Sequence, residues 1–149
     1  MGIFTGRDVF WLIGEWRVVS FKNKQYDLSA PSHYHISLPV SDNTFVMLCI
    51  ITSKIENRVL YYKNINEKAI DSLVAVSPQN IDILRKDSLI DCNRPIYGNK
   101  KEVWKKYIIE NSFKNIANVY ISDNLKSSII GAVLESPLVK YSIKNMLKT

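Results

Sequence analysis

His33-Tyr34-His35-Ile36-Ser37-Leu38-Pro39-Val40-Ser41-Asp42-Asn43-Thr44-Phe45-Val46-Met47-Leu48-Cys49-Ile50-Ile51-Thr52-Ser53-Lys54 is the stretch on which the reading of this 149-residue chain turns. From His33 the apolar side chains recur with a period of two. Tyr34, Ile36, Leu38 and Val40 fall on one side and His33, His35 and Ser37 on the other, the pattern of a strand with one polar face. Ser41-Asp42-Asn43-Thr44 carries side chains that bond their own backbone and so favour a turn. Phe45 to Ile51 is then apolar on both sides, as a central strand is. Two strands so joined form an antiparallel hairpin. With Val40 opposite Phe45, counting back sets His35 opposite Ile50 and His33 opposite Thr52. A slip of one residue would turn one strand's side chains over. The register therefore makes a specific prediction, a histidine beside Thr52-Ser53-Lys54.

Outward from the hairpin the signals are shorter. Between Gly6 and Asp27, Val9 to Ile13 is continuously apolar and Arg17 to Phe21 is rich in β-branched residues; a short helix over about residues 7–15 is expected, closed by a loop at Ser29-Ala30-Pro31-Ser32. Tyr61-Tyr62 and Leu73 to Val76 read as short strands with a helical turn between them over Ile65 to Asp71. A further strand over about residues 88–92 is stopped by Asn93-Arg94-Pro95. Beyond Gly98 the pattern turns helical. Lys101 to Glu110 is one candidate; Ser122 or Asp123 caps a second, with Leu125, Ile129, Ile130 and Val133 on one face. Ser136-Pro137 restarts a third, with proline at its first position and Leu138, Ile143, Met146 and Leu147 on its apolar side. The expected fold is α+β: a small, barrel-like antiparallel sheet with surrounding helices and a C-terminal helix pair, in one domain over residues 1–149.

Composition fits a folded chain. Apolar residues make up 46% and charged residues 23%, far from the low-hydrophobicity, high-charge corner where chains stay disordered. The longest apolar runs, Phe45 to Ile51 and Val9 to Ile13, fall short of the ~20 residues that cross a bilayer, and a cytoplasmic protein without membrane partners is expected. Cys49 and Cys92 sit in apolar segments without close pairing, as buried free thiols do. The net charge of +6 is uneven: residues 1–96 hold eleven basic and ten acidic side chains, residues 97–149 nine lysines and four acids. A basic face of this kind attracts polyanions such as nucleic acid.

No phosphate loop, dinucleotide fingerprint, nucleophile elbow or metal-ligand spacing occurs, and neither a metal nor another cofactor is expected. What remains is His33, His35, Thr52, Ser53 and Lys54, gathered where a strand end meets a loop. RNA cleavage by the ribose 2′-hydroxyl needs a base, an acid and cations around a crowded phosphate. Histidine, with an ordinary pKa of about 6.5, suits the proton transfers. Lysine and small hydroxyls suit the phosphate. Spacing alone favours a solvated strand face followed by an ordinary loop.

The order of segments, an apolar strand ending in Ile51-Thr52-Ser53-Lys54, a variable stretch, the strand at Leu73 to Val76, then Leu84-Arg85-Lys86-Asp87-Ser88-Leu89-Ile90-Asp91-Cys92, resembles the MazF/PemK/Kid toxin fold. Within it the chain is most similar to the type III toxins, the ToxN/AbiQ, CptN and TenpN groups, with CptN named first. The resemblance covers roughly residues 33–92. It implies a sequence-selective, metal-independent endoribonuclease that leaves 2′,3′-cyclic phosphate and 5′-hydroxyl ends and serves in phage defence. It also implies that a repeat-derived antitoxin RNA pseudoknot holds the toxin inactive, in an assembly of several toxin–RNA units. Thr52 and Ser53 match the Thr-Ser that lines the scissile phosphate. Lys54 corresponds to the catalytic lysine, although there one residue separates it from the serine. The arginine of the preceding strand is missing, and His33 or His35 is the group nearby to replace it. Asp87-Ser88 matches a segment taken to be structural. Arg58, Lys63, Arg85, Lys86, Lys100, Lys101, Lys105 and Lys106 are the candidates for RNA phosphate contacts. A non-catalytic RNA-binding module, and a toxin held by a protein antitoxin, are the alternatives.

Overall fold

Strand β3, Phe45–Thr52, is the axis of the sheet. The computed structural model describes residues 5–148. On one side β3 pairs with β2, His33–Ser37; on the other it pairs first with β6, Ile96–Asn99, and then at Ile51 and Thr52 with β5, Ser88–Asp91. Strand β1, Val18–Phe21, lies outside β2, and β7, Lys114–Ile116, outside β1; β4, Leu73–Val76, flanks β5. The order is β4-β5-β3-β2-β1-β7 with β6 beside β3, and the recorded pairs are antiparallel. The class is therefore α+β, as expected. The sheet is not closed into the expected barrel: it ends at β4 and at β7, a three-residue strand with two exposed residues. Short ends of this kind offer little ladder for another strand to join.

The hairpin has the predicted register. Tyr34 faces Ile51, His35 faces Ile50, Ile36 faces Cys49 and Ser37 faces Leu48. Alternation then sorts β3 between two cores. Met47, Cys49 and Ile51 pack with Ile36, Ile90 and Cys92 beneath Leu125, Ile129 and Val133 of α4, Asp123–Glu135. Val46 and Leu48 pack on the opposite face with Val19 and Phe21, Phe10 of α1, Gly6–Trp11, and Val103 and Trp104 of α3, Lys100–Tyr107. A strand buried on both faces has no polar side to display, which is why its sequence runs apolar without alternation. Both cysteines are free and buried, as read from their setting. Among the described residues no helix is long and apolar enough to cross a membrane.

Several elements depart from the sequence reading. The first helix, started by a Thr5/Asp8 capping box, stops at Trp11 rather than near residue 15. Trp16 there takes a left-handed φ of 58°, and its N–H donates to Ser37 O at 2.7 Å, turning the chain into β1. Tyr61 and Tyr62 are not a strand; they belong to α2, Ile55–Ile65. Tyr62 and Arg58 both reach Oδ2 of Asp91. Four residues apart is about 6 Å along a helix but about 13 Å along a strand, so one carboxylate can hold both only in a helix. The helical turn expected from Ile65 to Asp71 is a 3₁₀ turn at Glu67–Ser72. Ser136-Pro137 does not start a long helix: buried Ser136 donates through Oγ to Asn93 Oδ1 at 2.7 Å, and only a single turn, α5, Tyr141–Lys144, follows. The expected helix pair is thus one helix and a short turn. Helix α3 ends at Tyr107 because Ile108 leaves to bridge Asn23. Strands β6 and β7 were not expected; β6 covers the part of β3 that β5 leaves bare.

Candidate functional site

The register lays side chains in rows across the face that carries α3. Phe21 pairs with His33 and Thr52 with Leu89 at one level of the sheet, and Val19, His35 and Ile50 form a row at the next, with Asp91 at the end of β5. Helix α2 follows directly from Thr52-Ser53-Lys54 and crosses the end of these rows. Two adjoining clefts form there, sharing His33, Thr52 and Lys54. The first, of about 290 Å³, continues past Ser53 to Arg85 and Lys86. The second, of about 420 Å³, lies between Tyr26 and the α2 side chains Asn57, Arg58 and Tyr61, with Arg94 at its edge. So the structure brings His33, Thr52, Ser53 and Lys54 together as predicted.

Their chemical states differ. His33 is partly buried with Arg58 and Lys54 nearby. Burial lowers its pKa below 6.5, the Arg58 and Lys54 charges lower it further, and a backbone hydrogen bond to Pro31 opposes them. It is neutral at pH 7, able to accept a proton. Thr52 accepts the Lys54 N–H through Oγ1 at 3.2 Å, which leaves its own hydroxyl proton to give. Ser53 and Lys54 are exposed, and Lys54 is the residue before the first turn of α2.

His35 is different. It is 1% exposed, stacked on Phe21 with ring centroids 4.0 Å apart and planes 9° apart. Its Nδ1 lies 3.0 Å from His33 O; the carbonyl can only accept, so Nδ1 carries the proton and Nε2 is a lone pair, buried without a partner among the described residues. Burial drives its pKa down to about 3. His35 is thus not placed to exchange protons with a phosphate, contrary to its reading as a catalytic candidate. It should instead govern acid stability. Its folded pKa lies below the unfolded value of about 6.5, so the unfolded chain binds more protons between those values. Stability is full above pH 6.5 and falls as pH drops, by about 1.4 kcal/mol per unit from this group. Urea unfolding from pH 7 to 4 should show that slope, and His35→Phe should flatten it; an unchanged slope would remove His35 as its source.

Arg58 holds its place through Asp91. Its Nη1 donates to Asp91 Oδ2 at 2.9 Å, Tyr62 OH donates to the same oxygen at 2.6 Å, and Asn93 N–H donates to Oδ1 at 2.9 Å. Burial and the Asp91 carboxylate push the Tyr62 hydroxyl's pKa well up, so it stays protonated and donating. Arg58 was expected only as a surface phosphate contact; the structure puts it in the cleft wall as an ordered cation. That placement, with Asn57 and Tyr61, was legible only once the segment is read as a helix, because residues three and four apart then share a face. Tyr26 and Arg94 carry no such signal.

The other phosphate candidates divide. Arg85 and Lys86 line the first cleft and are exposed. Lys63, Lys101, Lys105 and Lys106 are exposed outside both clefts. The carbonyls of Lys105 and Lys106 accept from Lys24 Nζ and Gln25 Nε2, fastening the end of α3 to the segment before Tyr26. Lys100 is a correction: it is buried, and its Nζ donates to Trp11 O and Ile13 O at 3.2 and 3.0 Å, so it ties α1 to α3 instead of facing solvent. Among the described residues no group of three or more His, Cys, Asp or Glu side chains is disposed to hold a metal ion. No family model matches the chain, and no curated protein matches its sequence.

Proposed function

We propose that the chain is a sequence-selective endoribonuclease toxin of a toxin–antitoxin system, cleaving RNA without a metal ion and restrained by an antitoxin RNA of the type III kind. The reading adopts the MazF/PemK-like relationship implied by the Thr52-Ser53-Lys54 segment, with an open rather than closed sheet. The observation that supports it best is the juxtaposition at the end of β3: a neutral His33 sharing both clefts with Thr52 and Lys54, with Arg58 beside it and Arg85 and Lys86 along the adjoining cleft. His33 removes the 2′-hydroxyl proton as that oxygen attacks phosphorus. The bond to the 5′ oxygen breaks, and Lys54 donates a proton to the departing oxygen, leaving a 2′,3′-cyclic phosphate and a 5′-hydroxyl. Arg58 and the Thr52 and Ser53 hydroxyls hold the charge that gathers on the phosphate. Groups fixed before the reaction stabilise such charge without reorganising. Target and antitoxin RNA run along the same basic cleft, which makes the antitoxin a competitor for the site.

The test is incubation of the chain, freed of nucleic acid, with total RNA in EDTA, followed by mapping of fragment ends. Discrete cuts with cyclic phosphate ends are expected. Lys54→Ala should slow them by about 10²- to 10⁴-fold, the usual loss with a general acid. Since Lys54 is exposed, its melting temperature should hardly move. RNA that binds with a steep salt dependence but stays intact would instead identify a non-catalytic RNA-binding module.

A further inference from the structure

We propose that the second cleft is a nucleobase subsite selective for a keto base, uracil or guanine, on the nucleotide next to the phosphate held by His33, Thr52 and Lys54. The placement of that phosphate rests on the reading above; the choice of base rests on the cleft itself.

Its walls suit a flat ring. Tyr26 and Tyr61 are 41% and 40% exposed, and the Arg94 guanidinium lies 5.0 Å from the Tyr61 ring centroid. Tyrosine faces and stacked guanidinium groups are what unstacked bases pack against. The volume of about 420 Å³ is within the range of small-molecule sites.

The polar groups of the cleft supply the selectivity. His35 is among the residues that line the cleft, and it holds a lone pair at Nε2 that is buried at the cleft floor without a partner among the described residues. A buried acceptor left unpaired is uncommon and asks for a donor. Asn23 accepts the Gln25 N–H through Oδ1 at 2.8 Å, so its free group is the donating NH₂. Arg94 can only donate. One acceptor among donors complements a ring N–H beside carbonyl oxygens: N3–H with O2 and O4 in uracil, N1–H with O6 in guanine. Adenine and cytosine present a ring lone pair at the equivalent position. Set against Nε2, that lone pair would leave two acceptors facing each other. Because burial holds His35 neutral throughout the ordinary pH range, Nε2 stays an acceptor under assay conditions.

Binding can be measured without cleavage, using the 3′- and 5′-monophosphates of uridine, guanosine, adenosine and cytidine. Uridine or guanosine nucleotides should bind at least about tenfold tighter than the others, the scale set by leaving a buried polar group unpaired. The ¹⁵N resonance of His35 Nε2 should shift with those two and stay put with the rest. His35→Phe, which keeps a ring on Phe21 and removes the acceptor, should make the four bases bind alike; Tyr61→Ala should weaken all four. If His35→Phe does not fold, the wild-type resonance decides. Equal binding, or preference for adenine or cytosine, would overturn the subsite. Cleavage without base preference would do so while leaving the nuclease intact, whereas selective binding with no cleavage would keep the subsite and remove the nuclease.

Discussion

Asp91→Ala is expected to destabilise the chain by about 3–5 kcal/mol, the loss typical when one partner of a buried ion pair is removed. Asp91 is 1% exposed at the end of β5, and three donors converge on it: Arg58 Nη1, Tyr62 OH and Asn93 N–H. Removing the carboxylate leaves all three unpaired at once. Tyr62 is fully buried and cannot turn to water, and Asn93 in turn donates to Ala69 O and accepts from Ser136, so the loss reaches the 3₁₀ turn and the start of the C-terminal segment. Arg58, 24% exposed along its side chain, can swing partly into solvent, which sets the effect toward the lower end of that range. Asp91→Asn keeps the shape and one acceptor oxygen and should recover part of the loss. Denaturant midpoints at unchanged slope measure both. A loss for Asp91→Ala below about 1 kcal/mol, the net worth of one ordinary hydrogen bond, would mean that α2 is held mainly by apolar packing.

That one residue explains why part of the fold was legible in the sequence and part was not. The hairpin reads correctly because its signal is local: the alternation from His33 to Val40, the turn at Ser41 to Thr44 and the apolar run after it specify the same register. Helix α4 was equally plain, with Ser122 accepting the Leu125 N–H as its cap. The errors fall where a distant partner outweighs local preference. Tyr61-Tyr62 has strand propensity, yet Arg58 and Tyr62 are drawn into a helix by a carboxylate far along the chain. Ser136-Pro137 has the form of a helix start, yet Ser136 is spent on Asn93. The candidate site followed the same division. His33, Thr52 and Lys54 meet because the register brings them together, while the roles of Arg58, Tyr61 and Arg94 depend on a helix the local pattern hides. His35 and His33 stand two apart on the same strand face, and no sequence pattern separates them. Only the distance to the sheet's end does so, leaving one at the cleft mouth and the other beneath it, stacked on Phe21.

His33→Ala should lower kcat/KM for RNA cleavage by about 10²- to 10⁴-fold, the usual contribution of a positioned general base. His33 is partly buried at the end of β2 and lies edge-on to Tyr26 with ring centroids 6.2 Å apart, so its removal should change stability little. The pH profile offers the sharper test. A base works deprotonated, so the rate falls as pH drops through its pKa; burial together with the Arg58 and Lys54 charges holds that pKa below 6.5. The acid limb of wild-type kcat/KM should therefore lie below that of an ordinary imidazole. Replacing a neighbouring cation by a neutral residue removes one of the depressing influences and should move the limb upward. Arg58→Gln should move it further than Lys54→Gln, because Arg58 exerts the larger effect on His33. Neither should bring it fully to 6.5, since burial is the largest cause and remains. A limb unmoved by both substitutions would assign the titrating base to another group, even if His33→Ala were inactive. A limb that moves in that order would tie the proton transfer to His33, because a group that merely supports the strand has no reason to respond to the two cations in proportion to their influence on its ring.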